Sequence, residues 1–151
     1  MPYGLRVDPK PENQLNLNAR QLRICSHTLP TGYFRDGYCS NTGTHLICTK
    51  MTQEFLDYSK NEVNNDLSTP RILPNGAQFP GLKAGDNWCL CSQRWKQAYA
   101  AGKAPIICQD ATNLSATGDV IDAVGAKFVK NTILNKIEES MRWDNIGSTF
   151  R

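Results

Sequence analysis

No stretch of this chain approaches eighteen consecutive apolar residues, and its opening turn, Met1-Pro-Tyr-Gly-Leu-Arg6, has no apolar leader region. A membrane-spanning helix and a secretory leader are both unexpected, so the reading is a soluble, cytoplasmic protein with no membrane partner. Basic clusters are missing as well. The 17 Lys+Arg against 14 Asp+Glu leave a net charge of +3, yet the positive residues are scattered singly. Tracking a phosphate backbone needs a clustered stripe, which argues against nucleic acid; one or two well-placed arginines suffice for a small anion. The chain has only two histidines, and it contains no Gly-rich phosphate loop, no His-Glu-x-x-His and no Gly-x-Ser-x-Gly. The corresponding nucleotide-hydrolysis, zinc-protease and serine-hydrolase chemistries have no motif to rest on, and no cofactor is called for. Internal repeats and low-complexity tracts are absent too.

What is present suits one domain: 151 residues, 40% of them hydrophobic, are enough for a single core and too few for two ordinary ones. Residues 1–18 carry three prolines among polar residues and are expected to form a loosely held arm, residues 19–143 the domain, and residues 144–151 a tail. Leu46 and Cys48 alternate with His45, Ile47 and Thr49, as in a short strand. Thr52 is a good helix N-cap, with Met51 placed to staple onto Leu56, and the helix should run to about Lys60. From Asn61 to Asn87 no period is sustained, but Phe79, Leu82 and Trp88 anchor a long, packed loop. A second helix is expected after an N-cap at Ser92, ending before Gly102; Pro105 then leads into a strand Ile106–Cys108, and helical spacing returns from about Asp122 to Met141. The class expected is α+β: a two-layer sandwich, with a small, mostly antiparallel sheet, helices packed on one face and a long ordered loop.

Six cysteines could pair in fifteen ways, but without an export signal reduced thiols are expected, and Asn113-Leu-Ser115 is then a sequon by accident. Cys89-x-Cys91 would place two sulfurs on one face of an extended segment, which suits two ligands of one metal better than a bond between them. If a metal is present, Cys39, Cys89 and Cys91 are its candidate ligands. A closed zinc site needs four, however, and the spacing departs from paired Cys-x-x-Cys. The plainer alternative is two half-buried thiols packing beside Trp88. Cys108, on an apolar strand, should be inert, whereas Cys39, Cys89 and Cys91 lie beside turn residues, arginines or a helix start. A Cys/His nucleophile would need His27 or His45 beside a thiol, and nothing in the sequence places them together.

Two runs concentrate aromatics, charges and turn glycines: Thr31-Gly-Tyr-Phe-Arg-Asp-Gly-Tyr-Cys39 and Gly85-Asp-Asn-Trp-Cys-Leu-Cys-Ser-Gln-Arg-Trp95. Arginine beside an aromatic supplies a bidentate donor and a stacking face, the equipment for holding a carboxylate, a phosphate or a heteroaromatic ring. The candidate ligand-binding residues are therefore Tyr33, Phe34, Arg35, Asp36, Asn65, Asp66, Ser68, Thr69, Asp86, Trp88 and Arg94. The competing reading is structural: Arg35 or Arg94 paired with Asp66 or Asp86 would pin the long loop, and Asn64–Pro70 would fold into Asx and Ser/Thr turns.

Thr31–Gly37, His45-x-x-Cys48, Thr52-x-Glu-Phe-Leu-x-x-Ser-Lys60, Asn65–Pro70, Phe79–Leu82, Gly85-Asp-x-Trp-Cys-Leu-Cys91, Arg94-Trp95 and Ala101-Gly-x-Ala-Pro105 occur here in one order. In this the chain resembles DUF2237, a family of small, mostly bacterial proteins known as a domain of unknown function, over roughly residues 20–130. The resemblance implies a compact two-layer α+β protein and no particular activity. The chain departs from it at Asn113, where the family usually shows histidine after Ala-Thr, and in its arm and C-terminal extension; if that histidine serves catalysis, this member lacks it. The function expected is binding of a small polar, anionic or nucleotide-like molecule. The alternatives are a thiol- or zinc-dependent enzyme centred on Cys89 and Cys91, and a protein-interaction module presenting the basic C-terminal helix. Association of identical copies is compatible with all three.

Overall fold

The computed structural model describes residue 10 and residues 13–125. The helix expected from about Asp122 to Met141 lies outside the described residues beyond residue 125, and the expected tail at 144–151 lies wholly outside them. Order begins earlier than expected. Gln14, Asn16 and Leu17 are buried, Leu17 completely, and Asn16 bridges to Asn113. The polar composition before Ala19 hid this because its asparagines serve as backbone partners: the Asn16 amide donates to Asp110 O at 2.9 Å, and its oxygen accepts from Asn18 N and Arg20 N. Residues 14–18 are thus part of the fold.

The elements follow in the order β1 (Ile47–Lys50), α1 (Gln53–Asn61), β2 (Arg71–Ile72), β3 (Gln78–Phe79), β4 (Asn87–Leu90), α2 (Ser92–Ala100), β5 (Ile106–Ile107) and α3 (Thr117–Val124). Short 3-10 turns at Gln109–Ala111 and Leu114–Ala116 join β5 to α3. Helix α1 starts where its cap dictates: the Thr52 hydroxyl accepts from Phe55 N at 3.1 Å, satisfying an amide that the helix leaves unpaired. Helix α2 begins one residue earlier than expected, with Cys91 as N-cap, and Gly102 follows its end at φ +74°. The segment expected to be one long loop contains a hairpin, β2 paired antiparallel with β3.

Strand β1 is the centre of a three-stranded antiparallel sheet in the order β4-β1-β5. The class is therefore α+β, as the mixed pattern indicated. The register sorts the two faces. Ile47 lies opposite Leu90, and both belong to the main core with Phe55 and Leu56 of α1, Trp95 and Ala98 of α2 and Val120 of α3. Cys48 lies opposite Cys89, one position on, so both point to the other face, where they pack with Cys25, Cys39 and Ala111. Helices thus cover one face, and the segment around residues 25–39 covers the other. Leu46, expected to share a face with Cys48, instead joins the helical core from just before the strand.

The 31–39 segment is held tightly. Gly32 has φ +89°, and a Cβ there would collide with Tyr38 O, so only glycine fits. Thr31 is fully buried, and its hydroxyl accepts from Cys89 N at 2.9 Å, stitching the turn to β4.

Candidate functional site

The turn at Gly32–Arg35, the loop at Asn65–Leu67, the β2-β3 hairpin and the start of β4 enclose a cleft of about 400 Å3. Of the residues singled out from sequence as ligand-binding, Arg35, Asn65 and Trp88 line it together, with Cys89, a candidate metal ligand, beside them. His45, which sequence reasoning treated only as a possible base, lines it too, as do Arg71, Phe79 and Gln78. Arg71 and the hairpin were missed because two-residue strands have no periodicity to detect. The available signal was Arg71 beside Pro70, with a turn at Pro74-Asn-Gly76 and Phe79 beyond it.

Aromatic and cationic groups meet at the hairpin side. The Arg71 guanidinium lies 4.8 Å from the centre of the Phe79 ring, and Phe79 meets half-buried Trp88 edge to face at 5.6 Å. Arg71 donates to Asp66 O at 2.8 Å, which fixes its direction and leaves further N–H donors on the same plane. Arg35 sits in the left-handed region at φ +59°, a conformation that costs a non-glycine residue about 1–2 kcal/mol. Among the described residues no carboxylate forms an ion pair with Arg35. Its charge is felt by His45, whose pKa lies below the ordinary 6.5, first because of partial burial and then because of Arg35.

The other predicted residues have different places. Asp66 is a turn-former: its Oδ1 accepts from Ser68 N at 2.9 Å, Ser68 Oγ at 2.8 Å and Thr69 N at 3.2 Å. These bonds, the Thr69 side chain first and then Ser68, hold the carboxyl well below the usual carboxylate range. Asp66, Ser68 and Thr69 thus shape the loop instead of lining the cleft, and Asp86 does the same for its own turn by accepting from Lys83 N. Asp36 accepts from Tyr38 N within the turn. Tyr33 and Phe34 are exposed and contact each other edge to face at 4.9 Å, outside the cleft. Arg94 lies on the exposed side of α2, where it reaches Gln97 at 3.3 Å. Among the described residues the arginine–aspartate ties envisaged for the long loop do not form; Asp66 is satisfied by backbone amides and the Ser68 and Thr69 side chains, and Asp86 by a backbone amide.

The expectation of reduced thiols is corrected for four of the six cysteines. Cys25 is bonded to Cys48 and Cys39 to Cys89, leaving Cys91 and Cys108 free. Sequence separations of 23 and 50 residues gave no sign of these pairs; the β1-β4 ladder sets Cys48 opposite Cys89, and each is bonded to a cysteine of the 25–39 segment packed on that face. Cys89 and Cys91 consequently are not a free thiol pair, and Cys91 lies outside the group of neighbouring sulfurs formed by Cys25, Cys39 and Cys48. Cys108 is only partly buried; burial first, opposed by Lys50 and reinforced by Asp110, raises its pKa.

A family profile described as an uncharacterized protein conserved in bacteria, DUF2237, matches residues 15–129. The chain belongs to this family. No curated protein matches it. The DUF2237 match takes in every residue lining the cleft and both disulfides. It also spans Asn113, the position at which the sequence departs from the expected histidine. Asn113 is buried; its amide donates to Gln14 Oε1 at 2.7 Å and Cys39 O at 3.1 Å, and its oxygen accepts from Ser115 N. In this DUF2237 chain the position ties the N-terminal segment to the Cys39 turn. Among the described residues no helix is long and apolar enough to cross a membrane.

Proposed function

We propose that the cleft between the 32–35 turn and the β2-β3 hairpin binds a small anionic molecule carrying a flat, unsaturated or heteroaromatic part. The observation that supports this most directly is the charge of the lining: two arginines and a histidine, with no aspartate or glutamate among the described residues that line it. Its volume of about 400 Å3 suits a small metabolite, since such sites run from roughly 300 to 1,000 Å3. Arg35 and Arg71 supply forked donors for a carboxylate or phosphate, His45 a further donor once protonated, and Trp88 and Phe79 an apolar wall for a ring. Asn65 and Gln78 add neutral donors and acceptors that can fix orientation.

Thermal-shift measurement against mononucleotides and aromatic carboxylates tests the reading. A ligand at a hundredfold excess over its Kd stabilises the protein by about 2.7 kcal/mol. Arg35→Ala and Arg71→Ala should each abolish the shift while leaving the unliganded protein folded. Absence of a shift with every anion, or shifts that survive both substitutions, would remove the cleft as the binding site.

A further inference from the structure

The second face of the sheet carries a cysteine cluster that touches the cleft only at Cys89. Cys25, Cys39, Cys48 and Cys89 are all buried, none more than 3% exposed, and the sulfurs of Cys25, Cys39 and Cys48 lie within 4.8 Å of one another. Cys89 joins them through its bond to Cys39. We propose that in the reduced protein these four cysteines form a tetrathiolate site for zinc, so that the cluster alternates between two disulfides and one closed metal centre.

The geometry supports the exchange. Zinc–sulfur bonds of about 2.3 Å in a tetrahedron set the sulfurs roughly 3.8 Å apart. For Cys25, Cys39 and Cys48 the bonded pair would separate to that distance and the other neighbours close by about 1 Å or less, while Cys89, outside that 4.8 Å group, would swing in from its bond to Cys39 by a larger χ1 rotation on a fixed backbone. The backbones are fixed independently of the sulfur bonds. Cys89 N donates to the Thr31 hydroxyl and Cys48 N to the Thr112 hydroxyl at 3.0 Å, both threonines being fully buried, while Cys25 N donates to Gly37 O at 2.8 Å. Four ligands from two strands and two turns give the closed coordination of a structural site, with no position left for a substrate.

The conversion balances with a dithiol as reductant. Two equivalents deliver four electrons and four protons, breaking both S–S bonds and leaving as two disulfides; zinc then displaces the four thiol protons to solvent. Because the metal links the same four backbone positions, the fold can persist in either state.

The test uses the full chain, reduced with dithiol, freed of reductant under anaerobic conditions and titrated with Co2+ as a spectroscopic probe. One equivalent should produce the intense visible bands of tetrahedral tetrathiolate cobalt, which zinc then bleaches. Thiol counting should fall from six reactive groups to two in the zinc form, those of Cys91 and Cys108. The Cys91→Ser/Cys108→Ser double variant, which keeps the cluster, should give the same cobalt spectrum, and Cys39→Ser should weaken binding at least tenfold. Should Cys39→Ser fail to fold, the wild-type spectrum and thiol count decide alone. No cobalt bands, bands that require Cys91 or Cys108, or more than two reactive thiols with zinc present would overturn the proposal.

Discussion

Removing the two disulfides one at a time should reveal how much each contributes to stability. The chain-entropy relation gives about 3.4 kcal/mol for the Cys25–Cys48 loop of 23 residues and about 4.1 kcal/mol for the Cys39–Cys89 loop of 50. The pairs interleave along the chain, and neither bond offers a shorter path between the ends of the other, so each loop keeps its full length when the other is closed. The variants Cys25→Ala/Cys48→Ala and Cys39→Ala/Cys89→Ala remove buried sulfurs of equal size, so the packing loss is nearly common to both and the difference reports the loops. Urea unfolding, followed by tryptophan fluorescence under metal-free conditions, should show the larger loss for the 39–89 variant. It should also show a steeper denaturant dependence in both, because an unconstrained unfolded chain exposes more surface. A loss under about 1 kcal/mol in both variants, or an unchanged slope, would refute the argument that these bonds act through the unfolded chain.

Alkylation of the native, oxidised protein with peptide mapping should label Cys91 before Cys108, whose thiol is pushed up by burial, and should leave the four bonded cysteines unmodified. Labelling of Cys25 or Cys89 without reductant would contradict the pairing. His45 should give the cleft a pH dependence. Its folded-state pKa is lowered, so its stabilising effect is complete above the ordinary value of 6.5 and is lost as pH falls through the depressed folded value. A bound anion favours the protonated ring, so affinity measured by calorimetry should rise over the same interval, and His45→Gln should flatten that rise. A flat profile in the wild-type protein would take His45 out of the site.

Local signals in the sequence proved reliable where one or two residues decide the structure. Thr52 capped its helix, Gly102 followed the end of α2, and of the apolar stripe expected on α2 Trp95 and Ala98 faced the core while Tyr99 is exposed, because capping is local physics and amphipathic spacing nearly so. Of the eleven residues singled out for a ligand site, Arg35, Asn65 and Trp88 lie around one cleft, the first and last marked by the aromatics and turn glycines of their runs. What stayed hidden depends on distant partners. Whether Asp66 binds a ligand or forms a turn is decided by where Ser68 and Thr69 point, and the cysteine pairs depend on how the 25–39 segment lies against β1 and β4, which no short window contains. Composition misled at residues 14–18, where polar side chains are buried because backbone groups from residues 109–114 lie beside them.

The interleaving of the two bonds also bears on how the chain acquires them. During synthesis Cys25, Cys39 and Cys48 all emerge before Cys89, and the shortest closure among them, nine residues between Cys39 and Cys48, joins two cysteines that are not native partners. Short loops close at the least entropic expense, so oxidation of a nascent chain favours that mispairing first. Reaching the native arrangement then requires a thiolate to attack a formed bond, and Cys25, the native partner of Cys48, is the free thiol placed to do so, releasing Cys39 for Cys89. Oxidative maturation should therefore pass through thiol exchange within the cluster, and trapping the thiols early in reoxidation should capture a 39–48 isomer that disappears as the two native bonds form.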